Sequence, residues 1–305
     1  MSEHIIINEE VKDALAGRAP VVALESTIIT HGMPFPDNLE TAIAVEREVR
    51  NNGAVAATIA VLDGKIQIGL DEAQLEHLAK ARDVLKLSRA DLAFAVSRKR
   101  TGSTTVAATM IAANRAGVKV FATGGIGGVH RGAETSFDIS ADLEELAKTP
   151  VTVVSAGAKA ILNLAATWER LETLGVPVIG FQCNRLPAFW SRASDHPCPL
   201  RLDTPQEIAQ FTRTRRDLAL GGGLLVANPI PRDDAIPAAE IESYIEAALK
   251  KAEAAKITGK DVTPFLLTEI VAASGGRALT ANIALVKNNA RLAAEIAVAE
   301  RELGE

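Results

Sequence analysis

The sequence predicts an α/β fold: a three-layer α/β/α sandwich with a mixed, mainly parallel central sheet and an added β-hairpin. Three observations predict it. Short apolar runs end in small residues, as in Val118–Ala122 before Thr123-Gly124-Gly125 and Val151–Ser155 before Ala156-Gly157-Ala158; such runs read as buried parallel strands. They alternate with segments of helical period, the pattern of a sheet covered by helices. One pair of runs, Ala54–Leu62 and Lys65–Ile68, flanks Asp63-Gly64, a strong signal for a tight hairpin. No linker divides the 305 residues, and there is no internal repeat or low-complexity segment, so residues 1–305 form one domain.

The elements follow in order. Glu9–Ala16 reads as a short helix ended by Gly17, and Val21–Leu24 as a buried strand stopping at Glu25-Ser26-Thr27. A loop follows, from Ile28 through His31 to Pro36. Asp37 stands where it would cap a helix with apolar positions at Leu39, Ala42, Ile43 and Val49, ending near Gly53. After the hairpin come a helix over Glu72–Ala81 and the run Val84–Leu87, which contains Lys86. Ser88 lies three residues before Asp91, a capping-box-like start. Gly102-Ser103-Thr104-Thr105 opens a helix over Val106–Arg115, stopped at Gly117. A helix ends near Lys148. Ala158–Leu174 reads as a helix, Val176–Gln182 as a strand, and 183–203 as irregular. Thr204-Pro205-Gln206-Glu207 combines a cap, a first-turn proline and a capping-box glutamate. Leu224–Ala227 is a late strand after three glycines. Three helices finish the chain, Ala238–Ala255, Pro264–Ala273 and Ala281–Leu303, with Thr263 and Thr280 as caps of the last two.

Composition narrows the function. The net charge is −5 and aromatics are only 4%, with no basic patch interleaved with aromatics, which argues against nucleic-acid binding. No apolar run approaches the roughly 20 residues needed to span a bilayer, and the N-terminus lacks the basic region and apolar core of a signal peptide. Two cysteines, Cys183 and Cys198, read as reduced thiols in a cytoplasmic protein.

The stretch from Val118 to Lys159 carries more ionisable and hydroxyl chemistry than a connection needs: His130, Arg131, Glu134, Asp138, Ser140 and Asp142 lie between its two strands. Ligands of open α/β sheets sit beyond the carboxyl ends of strands, so this stretch is the expected floor of a small-molecule site. Lys159 leaves a buried strand among small neighbours. It is either a surface lysine in the first turn of a helix or an amine that apolar surroundings free as a nucleophile. Glu25 ends a wholly apolar strand. Either Ser26, Thr27 and the following backbone satisfy it, or burial keeps it protonated as a general acid. Asp138, with Glu134 and Asp142 nearby, offers oxygen ligands to a hard cation such as magnesium or manganese, for which one or two carboxylates and water suffice. The alternative for Ser140 and Asp142 is capping of the next helix. His31 and His130 are each a site residue or structural; no zinc pattern includes them. Gly124-Gly125-Ile126-Gly127-Gly128 is not a dinucleotide fingerprint, because no helix starts after it. The helix starts at Ser103–Val106 and Ser140–Asp142 offer N–H groups to a phosphate, with Lys86 adding charge.

Together these segments resemble the pseudouridine-5′-phosphate glycosidase family, of the indigoidine synthase A-like fold, from about Val11 to Leu303. The resemblance is carried by VVALESTIITHGMPFP at 21–36, KLSRADL at 86–92, GSTTVAATM at 102–110 and VKVFATGGIGGVHRGAETSFDISADLEEL at 118–146. VSAGAKAIL at 154–162, LPAFWSR at 186–192, GGGLLVANPIP at 221–231, TPFLL at 263–267 and NIALVKNNA at 282–290 complete it. The loop 191–203 departs most and receives no role.

The resemblance implies roles residue by residue. Glu25 matches the family's proton donor and Lys159 the lysine that attacks C1′ of the sugar. Asp138 matches a manganese-binding aspartate completed largely by water. Lys86, Val106 and Ser140-Ala141-Asp142 match substrate-binding positions around the phosphate. Thr123, His130 and Asn282 match positions that close around base and sugar, with Asn282 at a helix start. The implied activity is reversible cleavage of the C–C glycosidic bond of pseudouridine 5′-phosphate to uracil and ribose 5-phosphate, through a lysine–ribose imine. It further implies a cytoplasmic homotrimer functionally linked to a pseudouridine kinase. The competing readings are a lysine-dependent sugar-phosphate aldolase and a non-catalytic nucleotide-phosphate binding protein.

Overall fold

The computed structural model describes residues 3–304. Strand β1 (Ile5–Ile7) and helix α1 (Glu9–Ala16) lead into β2 (Val21–Leu24), the short helix α2 (Thr27–His31) and α3 (Asp37–Asn51). The hairpin β3 (Val55–Leu62) and β4 (Lys65–Ile68) follows, then α4 (Glu72–Lys80), β5 (Leu85–Leu87), α5 (Leu92–Ser97), β6 (Gly102–Thr104) and α6 (Val106–Ala116). The centre holds β7 (Val120–Ala122), α7 (Ala133–Ser136), α8 (Ala141–Lys148) and β8 (Thr152–Ser155). After it come α9 (Leu164–Thr173), β9 (Val178–Phe181), β10 (Leu200–Leu202), α10 (Pro205–Asp217) and β11 (Leu224–Ala227). Three helices close the chain: α11 (Ala238–Ala254), α12 (Val262–Ala273) and α13 (Arg277–Glu302).

The strands form one mixed sheet in the order β1-β4-β3-β2-β7-β8-β11-β9-β10, with β6 also on β3 and β5 on β6. From β3 to β10 every neighbouring pair on this path is parallel. The antiparallel pairs are β3 with β4 and β3 with β6. The central strands are buried on both faces, which is why β2 and β11 read as unbroken apolar runs of Val, Ala and Leu. Helix α13 lies along β2, β7 and β8 with α3 and α10 beside it, and α6 pairs with α8. The expected α/β/α layers and hairpin are present. At the hairpin, Asp63 and Gly64 both take positive φ, 49° and 76°, the conformation of the tight turn that suits a twisted ladder.

Several local expectations are corrected. The residues after Glu25 form α2 rather than a loop. Asp37 lies inside the first turn of α3, whose capping position is Pro36. Gly102–Thr104 is strand β6, and only Thr105 caps α6, its hydroxyl accepting the amide of Ala108. A three-residue strand rich in Ser and Thr carries no periodic signal to distinguish it from a cap. Thr263 and Thr280 are not caps: α12 starts at Val262, and α13 starts after Gly276, whose φ of 85° suits a glycine. The segment 183–203 contains β10, which pairs with β9. Thr204 and Glu207 do form the expected capping box.

Candidate active site

Three neighbouring strands deliver the chemistry. Glu25 follows β2, Thr123-Gly124-Gly125 follows β7, and Lys159 follows β8 by four residues. Beyond their regular ends, β7 and β8 stay in register: Ile126 bridges Ala158, the Ile126 amide donates to Gly157 O, and the Lys159 amide donates to Ile126 O. Gly157, at φ 84°, turns the chain here. Lys159 is therefore held in an extended crossing rather than in a helix. The helix expected from Ala158 starts only at Leu164, capped by Asn163. The Lys159 amine donates to the carbonyl oxygen of Gly125 at 2.6 Å.

Glu25 is held from behind by the hydroxyl of Thr123. Burial pushes its pKa above the usual carboxylate range, while Lys159, the Thr123 hydroxyl and Lys86 pull it down and Asp142 pushes it up. Ser26 and Thr27 do not satisfy the carboxylate. Ser26 Oγ accepts the Thr104 amide at 2.9 Å, and the Thr27 hydroxyl donates to Thr104 O at 2.8 Å. These bonds fix the segment carrying Glu25 to β6.

Glu25 and Lys159 open into one cavity of about 350 Å³. Lys86 enters it from β5, Val106 from the start of α6, and Ser140, Ala141 and Asp142 from the start of α8. His130, Asp138 and Asn282 also line it. Thr123 does not: its side chain stands one layer back, on Glu25. Asn282 sits in the second turn of α13, not at its start, and its buried Oδ1 has no partner among the described residues.

Asp142 does more than cap. Its two carboxylate oxygens accept the amides of Ala107 at 2.9 Å and Gly127 at 2.8 Å. One buried side chain thus ties α6, α8 and the glycine run together. Ser140 caps α8, its hydroxyl accepting the Asp142 amide at 3.3 Å. The glycines serve close packing. A Cβ on Gly125 would stand 2.7 Å from the Phe189 ring, and one on Gly127 2.3 Å from Ser140 Oγ.

Lys86 and Lys159 bring positive charge to the histidines of the cavity. Burial lowers the pKa of both His31 and His130, and Lys86 lowers both further. Lys159 also depresses His130, while Asp138, whose Oδ2 lies 3.9 Å from His130 Nδ1, opposes the shift. His31 Nδ1 sits against Thr30 Oγ1 at 2.6 Å and Ser103 Oγ at 3.2 Å. No three His, Cys, Asp or Glu side chains converge on a metal-sized site among the described residues. Asp138, half-exposed in the cavity, is a single oxygen donor, which fits a hydrated hard cation better than a caged one.

Sequence reasoning missed the cover of the site. Phe189 lies over the glycines, and Gly259, Thr263, Pro264 and Leu267 close the cavity from α12 and the turn before it. Phe189, Pro264 and Leu267 are apolar and carry no chemical signal beyond the motifs they stand in, and Thr263 reads only as a cap. Among the described residues no helix is long and apolar enough to cross a membrane. Cys183 and Cys198 are free thiols.

Residues 10–299 match the family model described as Indigoidine synthase A like protein. A protein of Mesorhizobium japonicum called pseudouridine-5′-phosphate glycosidase is 64% identical over 295 residues, covering 97% of each chain. Among solved structures, a prealnumycin C-glycosynthase in complex with ribulose 5-phosphate superimposes with a TM-score of 0.92 at 39% identity, covering 99% of each chain. An indigoidine synthase A-like protein from Thermotoga maritima gives 0.88 at 35% identity, covering 98% of this chain and 97% of its own.

Proposed function

This chain belongs to the indigoidine synthase A-like family, and on that premise we propose that it is a pseudouridine-5′-phosphate glycosidase, reversibly cleaving pseudouridine 5′-phosphate to uracil and ribose 5-phosphate. The observation that carries the reading is a raised carboxyl, Glu25, and an amine, Lys159, facing one cavity from strands separated by a single neighbour.

The bond to be broken joins C1′ of ribose to C5 of uracil, so there is no leaving oxygen to protonate, and two-carboxylate glycoside hydrolysis does not apply. A lysine offers another route. Glu25 gives its proton to the ring oxygen as the C1′–O4′ bond breaks, and the Lys159 nitrogen bonds to C1′ and loses a proton. A proton then adds to C5. The nitrogen lone pair forms a C=N bond as the C1′–C5 pair returns to the uracil ring. Water adds to the imine carbon, and expulsion of the amine releases ribose 5-phosphate.

The remaining residues bind and orient. Lys86 and the starts of α6 and α8, at Val106 and Ser140-Ala141-Asp142, would receive the phosphate, since helix starts favour anions. Asn282 presents an oxygen unpartnered among the described residues and suited to an N–H of uracil, and His130, which lines the same cavity, would contact the sugar. Asp138 would hold a hydrated divalent cation such as Mn²⁺, which when bound supplies positive charge near the substrate. Thr123 acts through Glu25 rather than on substrate. The reading also carries a homotrimer in the cytoplasm and a functional link to a pseudouridine kinase, which would supply the phosphorylated nucleoside; sedimentation tests the assembly.

The direct test incubates the protein with pseudouridine 5′-phosphate and Mn²⁺ and follows uracil by chromatography. Release that depends on Lys159 is expected. An aldolase would form a borohydride-trapped adduct with a keto-sugar phosphate and release no uracil, and a binding protein would retain ligand without turnover; either result would replace this reading.

A further inference from the structure

The proposed phosphate end of the cavity is built from three separate segments. Lys86 and Ser88 come from β5 and the turn beyond it, Thr105 and Val106 from the start of α6, and Ser140, Ala141 and Asp142 from the start of α8. A hydrogen bond ties each segment to the next. The Asp142 carboxylate joins α8 to α6 by accepting the Ala107 amide at 2.9 Å. The Thr105 amide joins α6 to β5 by donating to Leu87 O, also at 2.9 Å. Arg89 closes the ring, from β5 back to α8. Its Nε donates to Glu145 Oε2 at 2.6 Å and a terminal nitrogen donates to Oε1 at 2.8 Å. Glu145 stands in the second turn of α8; its side chain is only 1% exposed, and it also accepts the hydroxyl of Thr149. Arg89 lies in a short turn closed by the Ser88 amide, which donates to Asp91 Oδ2 at 2.8 Å. The β5 side has few other ties, because β5 and β6 are three residues each and stand off the main path of the sheet.

We propose that Arg89 and Glu145 are positioning residues for the substrate phosphate: their two-pronged ion pair holds Lys86 and Ser88 at a set spacing from the start of α8. The inference deepens the proposed function and rests on its reading of this end of the cavity as the phosphate site. Neither side chain lines the cavity, so the pair acts through the segments it joins. A planar guanidinium meets a carboxylate through two parallel bonds, which fixes direction as well as distance. A lysine ammonium in its place would keep the charge and lose the second prong. A phosphate bound by an ammonium on one segment and helix-start amides on two others is held well only while the three keep their spacing. With the Arg89–Glu145 tie cut, the Asp142 and Thr105 ties remain. The β5 arm then loosens against α8 while the sheet, Glu25 and Lys159 stay in place.

The test separates the phosphorylated ligands from the base. KM is measured for pseudouridine 5′-phosphate in cleavage, and for ribose 5-phosphate and uracil in synthesis, each at saturating co-substrate. The proteins are the wild type, Arg89→Gln, Arg89→Lys and the double variant Arg89→Gln/Glu145→Gln, which leaves no unpaired buried charge. In Arg89→Gln and the double variant, KM for both phosphorylated ligands should rise about tenfold, with kcat and KM for uracil within about twofold of the wild type. Arg89→Lys should show a smaller rise, about threefold, and it carries the test if the glutamine variants do not fold. Unchanged KM for the phosphorylated ligands would overturn the inference. So would a fall in kcat together with an equal rise in KM for uracil, which would make the pair a general support of the fold. A wild type that neither releases uracil nor binds ribose 5-phosphate would remove the proposed function itself, whereas an active wild type with unaffected variants would remove only the positioning role.

Discussion

The Lys159 amine reaches across from the end of β8 to the carbonyl oxygen of Gly125, at the end of β7, at 2.6 Å. The contact holds a long, flexible side chain in one direction, toward the strand end next to Glu25. The missing Cβ at Gly125 lets Phe189 lie against the same turn, so the backbone acceptor is itself fixed by packing.

Removing this amine tests the covalent proposal. Lys159→Ala is expected to lower uracil release by at least about 10³-fold and to abolish borohydride trapping of a pentose phosphate on the protein. Near-normal turnover in that variant would end the imine mechanism.

Glu25 supplies a pH test. Its proposed reactive form is the acid, and burial raises its pKa against the pull of Lys159, Thr123 and Lys86. The rate should therefore fall as pH rises through that raised value. Thr123→Val deletes a hydroxyl that favours the ionised form, so the alkaline limb of kcat/KM should move to higher pH. Glu25→Gln should cost roughly 10²–10⁴-fold. An alkaline limb that moved down in Thr123→Val would contradict the assignment.

Asp142 joins three segments through two backbone amides. Hydrogen bonds to a charged group contribute about 1.5–3 kcal/mol each. Asp142→Ala should lower the melting temperature clearly and, by loosening the starts of α6 and α8, raise KM for the phosphorylated substrate. A variant with unchanged Tm would show that the two amides find other partners.

The cation assigned to Asp138 is tested by removal. Exhaustive chelation should abolish wild-type activity and added Mn²⁺ should restore it, while Asp138→Ala should need far more metal for the same rate. Full activity after chelation would strip Asp138 of this role.

A carboxyl remote from the site gives a stability test. Glu300 on α13 is buried, one oxygen has no partner among the described residues, and burial pushes its pKa up to about 7 despite Lys119 and Arg216. Its folded pKa exceeds the unfolded value of about 4.3. Its contribution to stability is therefore complete below about 4.3 and is lost as pH rises through 7, a change on the order of 3 kcal/mol. Glu300→Gln should flatten that slope in denaturation measured between acid and neutral pH. An identical slope in both proteins would exclude Glu300 as its source.

The sheet was legible because its central strands, such as Val21–Leu24 and Leu224–Ala227, are buried on both faces and bounded by small residues. The three-residue strands β5, β6 and β10 were harder to read, since β6 is Gly-Ser-Thr and β10 is largely exposed. Glu25, Lys159 and Asp138 stood out because ionisable groups at apolar strand ends need a reason. The helix expected from Ala158 failed on Gly157, whose positive φ sends the chain along β7 before it can coil.

Because β7 alone separates β2, which leads to Glu25, from β8, which leads to Lys159, the spacing between the proposed acid and nucleophile is set by main-chain ladders of fixed pitch. Phe189 and the turn and helix that supply Gly259, Thr263, Pro264 and Leu267 cover the cavity from outside the sheet, where side chains are free of that ladder. Laboratory selection for a different base should recover its winners there and leave the strand tips untouched.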